Sequence, residues 1–262
     1  MSSHKTRIIT AIVLAVLLIY ILFLAPYYLL ATAIYIFSAL GLWEFYSLFP
    51  TSRDNTLKTV GIVLSLPIVL FSYLHIDVAL GLLLAFWLLN LVYLVYYKMD
   101  TQINWRELQI ITSGWLYIPL ALQFLLRLGS LEILFVFAAA IFSDIGAYYF
   151  GSWWGKRKLW PELSPKKTWM GSLGGMLGCV AVLTLWGAIW GAVCWYNFLW
   201  IGVLLNLAAQ LGDLLISAIK RQSQVKDTGN ILPGHGGILD RFDSLLFVIV
   251  AYMLINNFGI VF

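Results

Sequence analysis

Long apolar runs make up most of this sequence, and they constrain its fold more than any other feature. Of its 262 residues, 62% are hydrophobic and only 11% are charged, whereas soluble domains carry about 25% charged residues. A helix needs about 20 apolar residues to cross a membrane. The composition therefore excludes an ordinary soluble domain and predicts an all-α, polytopic integral membrane protein. The two cysteines, Cys179 and Cys194, lie in apolar surroundings without a CxxC motif, so we expect packing residues rather than a disulfide or zinc site.

Cutting the apolar runs at charged and Pro/Gly-rich breaks predicts about nine membrane-spanning helices in one integral domain covering residues 1–262. The predicted spans are 8–24, 27–49, 59–73, 78–97, 108–126, 132–150, 171–190, 196–220 and 244–262. The break at Pro26 and the short third span are the least regular parts of this pattern.

These spans sort the basic residues onto one side of the membrane. Of the 16 Lys and Arg residues, only Arg127 falls in a connection on the opposite side. Because cytoplasmic loops are enriched in Lys and Arg, we predict a cytoplasmic N-terminus and a non-cytoplasmic C-terminus. The first span has no clear small-residue cleavage site, so we expect it to remain as an uncleaved anchor.

Two predicted cytoplasmic loops, 151–170 and 221–243, differ from the short connections. They concentrate basic residues, several glycines and prolines, and most of the C-terminal carboxylates. Topology alone needs only one or two charges per loop. We therefore expect residues 1–130, with spans 1–5, to be a scaffold, and residues 131–262, with spans 6–9, to hold the chemistry.

Two carboxylates interrupt apolar helices and are candidate site residues. Asp144 lies within the sixth span and Asp213 within the eighth. A carboxylate at bilayer depth costs several kcal/mol unless it is paired, so each indicates function, with helix packing against a lysine or hydroxyl as the alternative. Glu44 lies nearer a helix end, where an interfacial carboxylate facing lipid headgroups is at least as good an interpretation as a functional role.

The polar residues of the eighth span share one face. At 100° per residue they fall within an arc of about 100°, and they are Asn206, Gln210, Asp213, Ser217, Lys220 and Arg221. Since apolar residues bound this stripe, we expect it to face a wet cavity inside the protein. Its cationic end suits phosphate oxygens and its acidic middle suits a metal ion.

A second basic element precedes the seventh span. Lys166 and Lys167 come just before a glycine-rich helix start, an arrangement that favours phosphate binding through ammonium groups and backbone N–H groups. The spacing is not that of a P-loop. Two alternatives remain: Gly171, Gly174, Gly175 and Gly178 share a face and allow close helix packing, and the lysines set topology or contact anionic lipid.

The segment 217–243 contains several groups of polar and charged residues in a specific order and spacing. In order they are Ser217, Lys220-Arg221, Lys226-Asp227, Pro233-Gly234-His235-Gly236-Gly237 and Asp240-Arg241-Phe242-Asp243. This segment closely resembles the signature of the phosphatidate cytidylyltransferases, also called CDP-diacylglycerol synthases.

The resemblance extends upstream over roughly the C-terminal half of the chain. It includes Ser143-Asp144, the run from Ser164 to Thr168 and Gln210 with Gly212-Asp213. The first five spans match only in hydrophobicity. Met170 departs from the acidic or amide residue expected at its position, which puts the polar contact of that residue in doubt.

The resemblance implies the reaction CTP + phosphatidic acid → CDP-diacylglycerol + pyrophosphate, dependent on a divalent cation such as Mg²⁺, with a second metal ion left open. It implies CTP, phosphatidic acid and membrane lipids as partners, no nucleic acid, and a homodimer. The corresponding location is the bacterial cytoplasmic (inner) membrane, with the active site facing the cytoplasm.

This reaction brings two anions together, so its catalysis is chiefly charge neutralisation and alignment. The expected catalytic residues are Asp213, Asp240, Lys220, Arg221 and His235. The expected substrate-binding residues are Ser164, Lys166, Lys167, Thr168, Ser217, Lys226, Asp227 and Arg241. The expected metal ligands are Asp213, Asp240 and Asp243, with Asp144 as an extra ligand or an orienter of a lysine. Phosphatidic acid is largely ionised near neutral pH, so His235 is expected to donate a hydrogen bond to phosphate rather than act as a base.

Other classes fit the sequence less well. A polytopic transporter of an anionic substrate would also place aspartates and basic residues in a helical bundle, but it favours polar groups on both sides of a midplane site and often two related halves. A membrane scaffold would not need several aspartates beside five basic residues. A CDP-alcohol phosphotransferase would carry an Asp-Gly-x-x-Ala-Arg run, which this sequence lacks.

Overall fold

The computed structural model describes residues 2–49, 55–98, 105–231, 236–258 and 261. Within these ranges the protein is built of helices and one two-stranded sheet. The chain divides into two compact units. The first consists of Met1–Arg127 and Val225–Asp240, and the second of Leu128–Gln224 and Arg241–Phe262.

The helices of the first unit follow the predicted apolar runs. They are α1 (Ser2–Phe23), α2 (Tyr27–Ser47), α3 (Asn55–Leu64), α4 (Leu66–Tyr73), α5 (Val78–Lys98), α6 (Trp105–Tyr117) and α7 (Pro119–Leu122), followed by a 3₁₀ turn at Gln123–Arg127. The predicted third and fifth spans are each broken near a proline. Pro67 and Pro119 stand at the starts of α4 and α7, because a proline has no N–H to donate within a continuing helix.

The core of the first unit forms around aromatic residues on α2 and α6. Trp115 is almost completely buried, and its indole N–H donates to the carbonyl of Gly61 at 2.7 Å. The hydroxyl of Tyr46 donates to the carbonyl of Ile111 at 3.2 Å. These bonds satisfy the polar ends of large buried rings and join α6 to both α3 and α2.

The second unit contains the helices α8 (Ser130–Trp154), α9 (Trp169–Trp190), α10 (Asn197–Gln222) and most of α11 (Leu239–Phe258). Strands β1 (Lys158–Trp160) and β2 (Ser164–Thr168) join α8 to α9 as an antiparallel hairpin. Lys158 lies opposite Thr168, and Trp160 lies opposite Ser164. The predominantly helical architecture agrees with the all-α prediction, and this short hairpin lies in a connection that the sequence analysis treated as a loop.

Glycines bring α8 and α9 into very close contact. A Cβ atom at Gly175 would lie 2.7 Å from the carbonyl oxygen of Ser143, and one at Gly146 would overlap the carbonyl of Gly174. Gly174 packs against the side chain of Phe150. The helix-packing interpretation of this glycine face is therefore confirmed, because no larger side chain fits between the two backbones.

Six helical segments in the described part of the chain are long and apolar enough to cross a membrane. They are Tyr27–Ser47, Val78–Val95, Trp105–Arg127, Ser130–Trp154, Trp169–Trp190 and Asn197–Gln222. A shorter apolar stretch covers Lys58–Tyr73. These features agree with a largely α-helical membrane protein.

Candidate functional site

The polar face of α10 meets partners on neighbouring elements of the second unit. At the N-terminal end of this face, Oδ1 of Asn206 accepts a hydrogen bond from the hydroxyl of Ser143 on α8 at 2.9 Å. One turn later, Gln210 forms two bonds with Ser172 on α9: its Oε1 accepts from the hydroxyl at 2.5 Å and its Nε2 donates to the carbonyl at 3.1 Å. Asn206 is buried, so the expectation of a wet cavity along the whole stripe is wrong at this end.

The middle of the same face contains an ion pair. Nζ of Lys167 lies 2.5 Å from Oδ2 of Asp213, and both side chains are partly exposed. The hydroxyl of Ser217 is 3.3 Å from Oδ1 of Asp213. Successive side chains of a strand point to opposite faces, so Lys167 on β2 reaches Asp213 while its neighbour Lys166 is exposed.

Three aspartates of the second unit lie within electrostatic range of one another. Asp144 on α8 interacts with Asp213, Lys167 and Arg241, and Asp243 on α11 interacts with Asp213, Asp144 and Lys220. Asp144 is exposed and Asp243 is buried. The structure thus brings together most of the acidic and basic residues that the sequence analysis assigned to this unit.

Close packing of α10 on α11 places two of these aspartates on adjacent helices. A Cβ atom at Gly212 would overlap the carbonyl oxygen of Asp243 and would lie 3.2 Å from Cβ of Phe247. Oδ1 of Asp243 accepts a hydrogen bond from the N–H of Ser244 at 2.8 Å. Gly212 is the residue before Asp213, so its missing side chain allows the acidic part of α10 to approach the first turns of α11.

The donor set fits a hard divalent cation in chemical type, since all three groups offer carboxylate oxygens. Among the described residues, no three acidic, histidine or cysteine side chains converge closely enough to hold a metal ion as they stand. Oδ2 of Asp213 is engaged by the Lys167 ammonium. A cation bound to Oδ2 would have to share this oxygen with Lys167 or displace the ammonium group, whereas Oδ1 accepts only the hydroxyl of Ser217 among the bonds observed in the described residues.

The hairpin ends at a capped helix N-terminus. Oγ1 of Thr168 accepts a hydrogen bond from the N–H of Gly171 at 3.0 Å, and Thr168 is buried. Gly151 and Gly155 pack around this side chain. Thr168 therefore acts as the N-cap of α9. The N–H of Gly171, one of the groups expected to bind a phosphate, is thus already bonded within the protein.

Three further basic residues with a predicted role lie in the last turn of α10 and in the first turn of α11. Lys220 is half-buried in the last turn of α10, and the next residue, Arg221, is exposed and donates from Nε to the carbonyl of Leu163 at 3.2 Å. Arg241 is exposed. Ser164 is half-buried on β2.

A separate polar cluster lies in the first unit, and sequence reasoning missed its centre. Glu44 on α2 is 2% exposed. Its Oε1 accepts from the N–H of Ile238 at 3.0 Å, and its Oε2 accepts from the N–H of Leu239 and from the hydroxyl of Thr228, each at 2.9 Å. The interpretation of Glu44 as an interfacial carboxylate facing headgroups is wrong.

Asp240 belongs to the same cluster. Its Oδ2 accepts from the N–H and hydroxyl of Thr228 at 2.8 and 3.1 Å, and from the N–H of Gly237 at 3.3 Å. Lys226 and Asp227 precede Thr228 and are exposed. The predicted catalytic residue His235 lies outside the described residues.

Comparison with known proteins places this chain in a family. A sequence profile of the cytidylyltransferase family matches residues 5–258. The chain is 34% identical to the phosphatidate cytidylyltransferase of Bacillus subtilis (strain 168) over 274 aligned positions, which cover 99% of this chain and 100% of that protein. It is 50% identical over 121 positions to the phosphatidate cytidylyltransferase of Staphylococcus aureus (strain COL), covering 45% of each chain. The corresponding protein of Staphylococcus saprophyticus is 48% identical over 119 positions, again 45% of each chain. This chain therefore belongs to the cytidylyltransferase family.

Proposed function

We propose that this protein is a membrane nucleotidyltransferase that converts CTP and phosphatidic acid into CDP-diacylglycerol and pyrophosphate. The observation that carries the proposal is the match over nearly the whole chain to a relative named phosphatidate cytidylyltransferase. The group of charged residues around Asp213 in the second unit supports it.

The reaction needs charge neutralisation more than it needs acid–base chemistry. A phosphate oxygen of phosphatidic acid attacks the α-phosphorus of CTP, and the bond to the β-phosphate oxygen breaks to release pyrophosphate. Both reactants are anions, so cations must offset their repulsion and hold the attacking and leaving oxygens in line. Lys167, Lys220 and Arg221 provide positive charge along one face of the second unit.

These basic residues differ in what they offer a phosphate. Lys167 is held by Asp213 and is therefore oriented before substrate binds. Lys166 is exposed on the opposite face of β2 and can extend toward a phosphate without breaking an observed contact. Arg221 presents a planar guanidinium suited to bidentate contact with phosphate oxygens. Arg241, Lys226 and Asp227, with Ser164, Thr168 and Ser217, remain predicted substrate-binding residues.

A divalent cation such as Mg²⁺ is part of the proposal, with Asp144, Asp213 and Asp243 as its carboxylate ligands. Since these side chains do not converge as they stand, they would have to move closer together to hold the ion, which would neutralise phosphate charge. Asp240 remains a predicted ligand from the first unit. A second ion, a homodimer and contacts with membrane lipids are further parts of the proposal. His235 is proposed as a hydrogen-bond donor to phosphate or to the leaving pyrophosphate.

We further propose nine membrane spans, a cytoplasmic N-terminus and a site that faces the cytoplasm of a bacterial inner membrane. The apolar helices and the bacterial relatives support this arrangement. The distribution of Lys and Arg, with only Arg127 on the opposite side, favours the proposed orientation.

The test is transfer of radiolabel from [α-³²P]CTP into a chloroform-soluble product by purified protein with phosphatidic acid and Mg²⁺. We expect labelled CDP-diacylglycerol from the wild type, and strong losses in Asp213→Asn and Asp240→Asn. Glu162→Gln, which changes an exposed carboxylate in the hairpin turn, serves as the matched control. Absence of product from folded wild-type protein would overturn the proposed function, whereas unchanged rates in both variants would overturn the assigned site.

A further inference from the structure

The buried carboxylate of Glu44 joins α2 to a distant part of the chain. Its bonds reach Thr228, Ile238 and Leu239, which follow it by 184 to 195 residues in sequence. Two of its donors are N–H groups at the start of α11, where the first N–H groups of a helix have no partner within the helix. Glu44, on α2, therefore caps the start of α11, whose first two residues belong to the first unit.

The hydroxyl of Thr228 lies between two carboxylates. Its Oγ1 is 2.9 Å from Oε2 of Glu44 and 3.1 Å from Oδ2 of Asp240. A hydroxyl has one proton to donate, so Thr228 can serve only one of these oxygens at a time. The two carboxylates thus share one hydroxyl donor, and Thr228 links Asp240 to Glu44.

Glycines on both sides of this hydroxyl make room for the Glu44 carboxylate. A Cβ atom at Gly229 would lie 2.5 Å from Oε1 of Glu44, and one at Gly237 would lie 2.6 Å from Oε2 and would overlap Oγ1 of Thr228. Gly236 adopts a φ of +83°, a conformation that favours glycine. The backbone at 228–229 and 236–239 is therefore closely fitted around the Glu44 carboxylate.

We propose that Glu44 is a positioning residue for nucleotidyl transfer: it holds the segments 228–231 and 236–240 in the conformation that presents Lys226, Asp227 and Asp240. This inference rests on the proposed function, which assigns those three residues to substrate and metal binding. Glu44 itself acts through Thr228 and two backbone N–H groups. Helix α2, from the half of the sequence expected to be only a scaffold, thus supports predicted site residues of the first unit.

A carboxylate is required because every contact of Glu44 is with a donor. A glutamine would turn an NH₂ group toward at least one of these donors and would lose the charge that strengthens the bonds. We expect Glu44→Gln to lower kcat/KM for CTP by roughly 10- to 100-fold, the range that the loss of a charge-assisted hydrogen bond implies.

Variants of Thr228 test the same hydrogen-bond network with a smaller change in structure, in case the Glu44 variant folds poorly. Thr228→Ser keeps the hydroxyl, and we expect it to retain kcat/KM within about 3-fold of the wild type, well below the loss of a charged hydrogen bond. Thr228→Val keeps the shape but removes the proton donor, and it should reproduce most of the Glu44→Gln loss. Because both changes break one network, the double variant should lose far less than the product of the single losses.

Glu132 provides the matched control. It is a carboxylate in an apolar helix of the second unit, and it accepts hydrogen bonds from Tyr252 and Asn256. Glu132→Gln should lower thermal stability in detergent by an amount similar to Glu44→Gln, yet keep kcat/KM within about 3-fold of the wild type, since it removes bonds of the same kind away from the reacting groups.

Amide hydrogen exchange separates the inference from the proposed function. In full-length Glu44→Gln protein, we expect faster exchange in peptides covering 225–242 and unchanged exchange in 169–190. Wild-type inactivity would refute the proposed function but would leave this structural test intact. Unchanged exchange in 225–242, additive effects of the Glu44 and Thr228 variants, or equal kinetic losses in Glu132→Gln would each overturn the positioning role.

Discussion

Nζ of Lys167 lies 2.5 Å from Oδ2 of Asp213, although Lys167 is on a short strand and Asp213 is in the middle of a long helix. The pair fixes the hairpin beside the acidic part of α10. An ammonium group at this position supplies positive charge where the proposed reaction brings phosphates together. It also offsets the negative charge of Asp213, which would otherwise repel the carboxylates of Asp144 and Asp243.

The first prediction concerns this ion pair. Lys167→Met should lower kcat at least 100-fold, because it removes a positioned charge from a site for phosphate transfer, and Lys167→Arg should recover part of the loss. Thermal stability should change little, since partly exposed ion pairs contribute about 0–1 kcal/mol. The measurement is the radiolabel assay beside thermal unfolding in detergent. Lys158→Met, an exposed change on the neighbouring strand, is the control, and an equal loss there would contradict the assignment.

A second prediction concerns the close contact of α8 and α9. Gly174→Ala should destabilise the protein by about 1–3 kcal/mol, because the added methyl group overlaps the side chain of Phe150. Gly129→Ala is the comparison, since its Cβ atom would lie at an ordinary 3.4 Å from Oε2 of Glu132. Thermal unfolding in detergent measures both. Equal stability of the two variants would show that the glycine contact is not required.

A third prediction concerns the cap of α9. Thr168→Val should cost about 0.5–2 kcal/mol of stability, because it leaves the N–H of Gly171 without its acceptor. Thr168→Ser keeps the acceptor oxygen and should stay nearer the wild type. If valine and serine behave alike in thermal unfolding, the Thr168 hydroxyl does not stabilise the helix start.

The fourth prediction uses the two native cysteines to test orientation. Cys194 is exposed and lies between α9 and α10, whereas Cys179 is buried. In intact cells, a membrane-impermeant maleimide should label Cys194 from outside and leave Cys179 unlabelled. Glu162→Cys in a Cys194→Ser background should react only after the membrane is opened. Labelling in the reverse order would exclude the proposed topology, and a reporter fused after Phe262 gives an independent check.

Periodicity predicted the local features of this protein well. The helical face containing Asn206, Gln210 and Asp213 follows from their spacing alone, and the structure gives each of them a partner. The glycine-rich face of α9 likewise follows from its spacing. These features depend on residues close together in one helix, where 3.6 residues per turn determines which side chains share a face.

Long-range partners could not be predicted in the same way. Glu44 is visible in the sequence as a carboxylate within an apolar run, but nothing local indicates that it bonds to Thr228 and Leu239. The hairpin was missed because β1 and β2 have only 3 and 5 residues, too short for an alternating pattern to emerge. The Glu44 contacts thus depend on packing between segments far apart in the sequence, whereas the hairpin is local but too short to give a sequence pattern.

Because a ribosome synthesises a chain from its N-terminus, Glu44 is made well before the residues that bond to it. Thr228 follows Glu44 by 184 residues, so at about 5–20 residues per second a ribosome takes roughly 10 to 40 s to deliver it. During that interval the carboxylate of Glu44, which is buried in the folded protein, has none of the donors that it has there. The contacts of Glu44 can therefore form only after residues 228–239 have been synthesised.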